Sequence, residues 1–438
     1  QRNGYVLGWV SDDNDPTNEG KLDKRATKIG KNDPKNPTNK SGVTLSKDST
    51  FPPYLWTANS GGSNDTVSKF HTAKHREEGR YWVGSSPSRT AVDLQGNMWV
   101  LARGSGRVTK VISNHADCPD RNGNGKVDTA TPGNLGPLNS ASNPLADECV
   151  AMSKVIYPGG LQPGGGNGGG VAVDNSGTVW VGYGNVSSNG GVQSINPNTN
   201  QPSTMLHVGQ GTPVWAPDSN NVYQKTSKTT TPGRMYGLVG DQNGHIYAVH
   251  SWFHGGMFSR FDTNTGQWER SYELAGHGCY PYGMALGERG RVYFGCYNPT
   301  NNDGGGVGMY NPNNEKLTVF NVPNSATVSG GQTSSVQLNC AGCNKARTTA
   351  LTVEPATNDV WAAFYLSGYV GRLSINYSNP SASQWTFIEA FPNAGSGFST
   401  RGIGFDPKGF AWHLGTQRTD VVKIDPNTNQ RVNTFPIG

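Results

Sequence analysis

No stretch of the sequence approaches the ~18 consecutive apolar residues that a membrane-spanning helix requires, and apolar residues occupy only 33% of its 438 positions. A dominant charge sign is missing too. The 36 basic and 31 acidic residues leave a formal net charge of +5, too even for a nucleic-acid-binding surface, so neither a membrane span nor nucleic acid is expected. Three catalytic signatures are absent: a Gly-x-Ser-x-Gly elbow, a phosphate-binding loop and a His-Glu-x-x-His pair. Glycine-dense stretches such as Gly164–Gly170 lack the strand-to-helix setting that phosphate binding needs and read as loops. The first residue is Gln1, with no signal peptide or lipid-accepting cysteine near it, so a processed or trimmed chain is expected.

What the sequence has is turns and a repeated phrase. A small or apolar strand leads into an acidic turn with glycine and then a strand centred on an aromatic residue, as in Thr90-Ala-Val-Asp-Leu-Gln-Gly-Asn-Met-Trp-Val100 and Gly170-Val-Ala-Val-Asp-Asn-Ser-Gly-Thr-Val-Trp-Val181. Further copies occupy Gly237–Ala248, Gly283–Phe294, Ala350–Ala362 and Gly402–His413. Each is a hairpin whose Asp/Gly turn supplies the positive φ of a tight reversal. A second turn, of the Ile195-Asn-Pro-Asn-Thr-Asn200 kind, recurs at Phe261, Tyr310 and Ile424. Two hairpins make a four-stranded blade, and a strand-only unit repeated along a chain makes a propeller.

A degenerate unit precedes these six, with Tyr54–Ala58, Val67–Phe70 and Tyr81–Val83 as three strands. The expected fold is therefore all-β: a seven-bladed β-propeller of four-stranded antiparallel blades with long surface loops, forming one domain over residues 1–438. Gly4–Val10 either supplies the first unit's missing inner strand or pairs with the last blade to close the ring. Residues 11–50 alternate Lys and Arg with Asp and Glu, contain few apolar residues and read as an irregular polar arm.

Residues 113–168 form an insertion between the second and third blades, and they carry the strongest local chemistry. Asp120, Asn122, Asn124 and Asp128 stand at positions 1, 3, 5 and 9 of a calcium loop, with Gly125 at position 6 and the Lys126 carbonyl at position 7. Alternate spacing lets a curled backbone aim several hard oxygens at one cation, so Ca²⁺ is the expected cofactor. Position 12 is Thr131 instead of a bidentate Glu, and Asp147 or Glu148 is expected to complete the set. A disulfide between Cys118 and Cys149 would bring those acids beside the loop. The six cysteines permit fifteen pairings; local spacing suggests Cys118 with Cys149, Cys279 with Cys296, and Cys340 with Cys343. Cys340-Ala-Gly-Cys343 also fits a redox pair or half a zinc site. An even count with local partners points to an oxidising, extracytoplasmic compartment.

The repeated phrase, over roughly residues 54–437, resembles that of the streptogramin lyase (virginiamycin B lyase-like) seven-bladed propellers. The Asp120–Gly125 insertion followed by Asp147-Glu148-Cys149 is similar to insertions in a secreted bacterial branch of that group. The resemblance implies a His just before an inner strand and a Glu ending the next, facing a central funnel and, with a further His and Mg²⁺, eliminating an ester. The matching positions here are Ser88/Ala102, Gly169/Tyr183, Tyr236/His250, Tyr282/Cys296, Thr349/Phe364 and Arg401/Gly415. None pairs His with Glu.

Tyr236, His250 and Tyr282 are expected to line one side of the funnel, with Trp252 and His254 above them and Arg401 across the ring. Aromatic faces with polar tips suit a sugar or planar ligand, and arginine suits a carboxylate; ordinary packing between blades would use the same aromatics. The expected protein is a secreted or cell-surface, non-catalytic propeller, stabilised by calcium and disulfides. It would act as a binding or structural subunit whose partner is itself, in a surface homopolymer, or a surface protein or glycan. The alternative is a lyase-like or other propeller enzyme working in the funnel.

Overall fold

The computed structural model describes residues 53–437 except 61–64, 156–168, 185–189, 204–206, 234, 251–255, 275–276, 298–304, 330–334, 339–345, 393–399 and 416–418. Their strands form seven sheets, the expected seven-bladed propeller. Blade 2 shows the pattern: Pro87–Val92 is innermost, followed outward by Met98–Ala102, Arg107–Val111 and Val150–Val155, all antiparallel. Seven apolar clusters fill the seven blade interfaces; the last joins Trp412 and Val421 of blade 7 to Leu55 and Phe70 of blade 1, so the ring closes through packing.

The repeated phrase makes the same contact in blade after blade. The turn carboxylate folds back over its own hairpin and accepts the indole N–H of the following strand: Trp99 Nε1 to Asp93 (2.8 Å), Trp180 to Asp174 (2.7 Å), Trp361 to Glu354 (2.8 Å) and Trp412 to Asp406 (2.9 Å). Asp93 Oδ1 also accepts the backbone N–H groups of Gln95 and Asn97, which fixes the turn. Opposite the tryptophan, the third strand presents a cation: Lys110 pairs with Trp99, Arg372 with Trp361 and Lys423 with Trp412. Lys110 and Arg372 reach carbonyls of the next blade, Pro197 O and Pro426 O, both at 2.6 Å. One phrase thus ties turn, blade and neighbouring blade together.

The glycine opening the phrase has a packing cause. A methyl group built at Gly283 would lie 2.7 Å from Thr349 O of the next inner strand, closer than real Cβ contacts allow. The small residue lets the inner strands pack around the axis.

Two features extend the expected architecture. Blades 4 and 6 each gain a hairpin from the preceding connection, so that Thr212–Pro217 runs parallel to the outer strand Gln267–Glu273, and Ser325–Ser329 parallel to Gln384–Glu389. Blade 1, by contrast, has three described strands, Tyr54–Asn59, Thr66–His71 and Arg76–Trp82, whereas blade 7 is four-stranded from its own contiguous residues Thr400–Pro436. Among the described residues, the strand place left open is therefore in blade 1 and not in blade 7. Gly4–Val10 and the arm at 11–50 lie outside the described residues.

Candidate functional site

The inner strands deliver a cluster of arginines and tyrosines to the funnel. Tyr236 and Tyr282 stand one residue before the phrase glycines of blades 4 and 5, and their hydroxyls are 2.8 Å apart. Arg401, at the same place in blade 7, donates to Tyr282 Oη at 3.1 Å, and Arg103 donates to Tyr236 Oη at 3.3 Å. Arg89, from blade 2, lies over both rings, its Cζ 4.5 Å from the Tyr236 centroid and 5.4 Å from that of Tyr282. Tyr236, Tyr282 and Arg401 thus come together, with Arg401 against Tyr282 instead of across the ring from it. The contributor from blade 2 is Arg89, not Ser88. Blades 4, 6 and 7 have the same register shift as blade 2, so the shift does not single out Arg89; Arg89 reaches the tyrosines from the position that glycine holds in blades 4, 5 and 7.

Arg89 is only 7% exposed, and among the described residues its Nε and Nη2 show no hydrogen bond, while Nη1 donates to the Ser88 carbonyl and hydroxyl. No described ion pair includes Arg89 or Arg103. Burial pulls the Arg89 guanidinium down from its usual range, with the tyrosine rings opposing that shift. Burial likewise raises the Tyr282 hydroxyl, and it pushes Tyr297, whose ring is 4.9 Å from that of Tyr282, up to about 12. These phenols are neutral at physiological pH; they donate and accept hydrogen bonds but do not act as bases there.

His250 is buried, and its described hydrogen bond runs outward into blade 4, from Nε2 to Ser259 Oγ (2.8 Å) and on to Ser271 Oγ (2.6 Å). Trp252 and His254 lie outside the described residues.

The insertion holds together as a second constellation. Asp120 Oδ1 accepts the N–H groups of Gly123 and Asn124, and Oδ2 that of Gly125; Gly123 and Gly125 take φ of 71° and 83°, which curl the loop. The side-chain amides of Asn122 and Asn124 converge on Asp128 Oδ2 at 2.8 and 2.7 Å, and Lys126 Nζ is 3.3 Å from its other oxygen. Glu148 accepts from the backbone of Arg121 and Asn122 through Oε1 and from Asp128 N through Oε2, so it caps the loop. Asp147 is buried and turned away, accepting from Thr129 Oγ1, Ala130 N and Cys149 N. The Cys118–Cys149 disulfide ties the two segments as expected, and Cys279–Cys296 ties the entry to blade 5's inner strand to the end of its second strand. Cys340 and Cys343 lie outside the described residues. Among the described residues no three His, Cys, Asp or Glu side chains converge as a metal set; the loop's oxygens come from amides and a carbonyl as well as from acids.

No protein-family model matches the chain, and no curated protein matches it in sequence. Solved structures are similar in fold. A streptogramin B lyase aligns with a TM-score of 0.49 and 12% identity over 83% of this chain and 88% of that one. Virginiamycin B lyase from Staphylococcus aureus gives 0.48 and 15% over 80% and 84%. AztD from Citrobacter koseri gives 0.43 and 10% over 88% and 81%. At these identities the likeness is one of fold, that of a seven-bladed β-propeller.

Proposed function

We propose that this chain is a secreted or cell-surface binding and structural subunit that is not an enzyme: a calcium- and disulfide-stabilised propeller whose funnel takes an anionic ligand with a planar face. The observation that carries the reading is Arg89, a buried guanidinium stacked on the Tyr236 and Tyr282 rings, with two donor groups that meet no acceptor among the described residues. A carboxylate or phosphate would accept those donors in the bidentate geometry that guanidinium favours, while the tyrosine faces accommodate a ring. The non-catalytic half follows from residue type. A general base must accept a proton near neutrality, and the funnel cluster offers arginines and phenols that burial keeps neutral.

Calcium belongs to the same reading. Asp120, Asn122, Asn124, Asp128 and the Lys126 carbonyl would hold the ion, with Glu148 the better placed of the two candidate completing acids because its carboxylate lies against the loop at Arg121, Asn122 and Asp128, whereas that of Asp147 faces Thr129, Ala130 and Cys149. The fit rests on the donors crowding Asp128: two amide N–H groups and a lysine supply the positive charge there that a cation would supply, and an amide rotated by half a turn presents oxygen in place of nitrogen.

A thermal-shift screen with benzoate, phenyl phosphate, inorganic phosphate and neutral benzyl alcohol, followed by mass analysis of each compound, tests the funnel reading. The aromatic anions should raise the melting temperature, benzyl alcohol should not, and every compound should be recovered unchanged. Equal response to the neutral compound, or a converted product, would contradict it.

A further inference from the structure

The residue just past the second strand holds the same place in several blades. The N–H groups of Arg103, Tyr297 and Tyr365 each close an inner hairpin, donating to Ser86 O (3.1 Å), Tyr280 O (2.8 Å) and Arg347 O (2.8 Å) in blades 2, 5 and 6. Their side chains form one tier at that end of the hairpins, beside the inner-strand tier of Arg89, Tyr236, Tyr282 and Arg401. The rings continue from tier to tier: centroids are 4.7 Å apart from Tyr236 to Tyr282, 4.9 Å from Tyr282 to Tyr297 and 5.3 Å from Tyr297 to Tyr365. Arg347 Cζ stands 5.8 Å and 6.0 Å from the centroids of Tyr297 and Tyr365, so positive charge extends along this wall.

Three guanidiniums meet on the first two rings. Arg89 lies over both, Arg103 donates to the Tyr236 hydroxyl at 3.3 Å, and Arg401 donates to the Tyr282 hydroxyl at 3.1 Å. Hydroxyls and ring faces orient cations but bring no charge to cancel theirs, so the three repel one another across two side chains. Burial lowers the Arg89 pKa, and the charge of Arg401 adds to the fall. The sequence around the funnel loops leans the same way: of the positions outside the described residues between 61 and 418, Asp303 is the only acid, against Arg234, Lys345 and Arg418. A carboxylate would cancel one of the three charges and offer two oxygens. A phosphate monoester carries close to two charges at neutral pH, because its second pKa is about 6, and it offers three terminal oxygens.

We infer that the funnel selects a phosphate monoester of an aromatic molecule, its dianionic phosphate among Arg89, Arg103 and Arg401 and its ring against Tyr297 and Tyr365. This rests on the anion-binding reading proposed above and names the class of ligand. Guanidinium groups match phosphate oxygens with paired N–H donors, and three of them from separate chain positions suit a tetrahedral head better than a flat one. Tyr236 is 7% exposed beneath Arg89, whereas Tyr297 and Tyr365 are partly exposed at the hairpin ends, which is why the ligand's ring is assigned to the outer pair.

The test is calorimetric titration, at about pH 7.5 where the monoester is a dianion, of phenyl phosphate, phenyl sulfate and inorganic phosphate into the full chain and into Arg103→Gln, with unfolding midpoints recorded. Phenyl sulfate keeps the ring and the tetrahedral head but has one charge; inorganic phosphate keeps the charge and lacks the ring. Phenyl phosphate should bind roughly tenfold tighter than either, and its affinity should fall more steeply with added salt than that of phenyl sulfate. Its preference over the sulfate should shrink in folded Arg103→Gln. Equal affinity for phenyl sulfate or for inorganic phosphate, parallel salt dependence, or a preference that folded Arg103→Gln leaves intact would overturn the inference. Should Arg103→Gln fail to fold, the wild-type comparison and the salt series decide. Phenyl sulfate separates the two proposals: if it binds as tightly as phenyl phosphate, the anion-binding funnel stands and phosphate selection falls, whereas if no aromatic anion binds, both fall.

Discussion

The outer turns of the blades and the funnel treat buried donors in opposite ways. At the turns, donors meet acceptors built into the same chain: Trp99 and Lys110 share Asp93, and Trp361 and Arg372 share Glu354. Where the phrase has Gly287 in place of the acid, the aromatic is Tyr293, whose hydroxyl is 2.9 Å from that of Tyr377. The funnel instead gathers Arg89 and Arg103 onto tyrosines with no described ion pair, and two Arg89 donor groups meet no acceptor among the described residues. The turns satisfy their donors internally; the proposed anionic ligand would supply the acceptor in the funnel.

Breaking a turn gives the largest expected effect. Asp93→Ala removes the acceptor of an indole and of two backbone N–H groups beside a buried lysine, and should cost roughly 3–5 kcal/mol; Tyr293→Phe, which loses one neutral hydrogen bond, should cost about 1 kcal/mol. Urea denaturation of the two variants checks the contrast, and equal losses would mean that the carboxylate is not what holds the turn.

The loop Asp120–Asp128, proposed to hold calcium, ranks next. Calcium at a hundred times its Kd should stabilise the fold by about 2.7 kcal/mol. A chelator should lower the melting temperature of the wild type and leave that of Asp120→Asn unmoved. A melting temperature indifferent to chelator would remove calcium from the account.

The pH dependence sharpens the comparison from another side. His413, in blade 7, is fully buried with neither ring nitrogen partnered among the described residues, and burial lowers its pKa to about 3. Because the folded value lies below the unfolded one, near 6.5, the unfolded chain binds the extra proton between them. Stability from this group is therefore complete above pH 6.5 and falls by roughly 1.4 kcal/mol per pH unit down to about 3. His413→Leu should flatten the stability profile between pH 6.5 and 4.5 by about one proton; an unchanged slope would show that other groups govern the acid limb.

The blades were legible because a turn acid, a glycine and an aromatic strand recur together, and two disulfides because their partners lie close in sequence. The added hairpins of blades 4 and 6 were not. Thr212–Pro217 carries prolines at its second position and its end, which argue against a central strand; the structure accommodates it beyond the outer strand, in a parallel pair. Arg89 escaped because it stands where most of the other phrases carry glycine, one residue past the position that supplies Tyr236, Tyr282 and Arg401. The hydrogen bond of His250 into blade 4 depends on Ser259 on the next strand and Ser271 on the one beyond, a relation that local spacing does not carry.

The most direct test of the funnel's proposed role is calorimetric titration of phenyl phosphate and benzoate into the wild type, Arg89→Gln and Tyr282→Phe, with unfolding midpoints recorded for each. Binding to the wild type is expected, with at least tenfold weaker binding to folded Arg89→Gln, a smaller loss in Tyr282→Phe, and recovery of both ligands unchanged. Absence of binding to the folded wild type, or affinity untouched in folded Arg89→Gln, would contradict the reading.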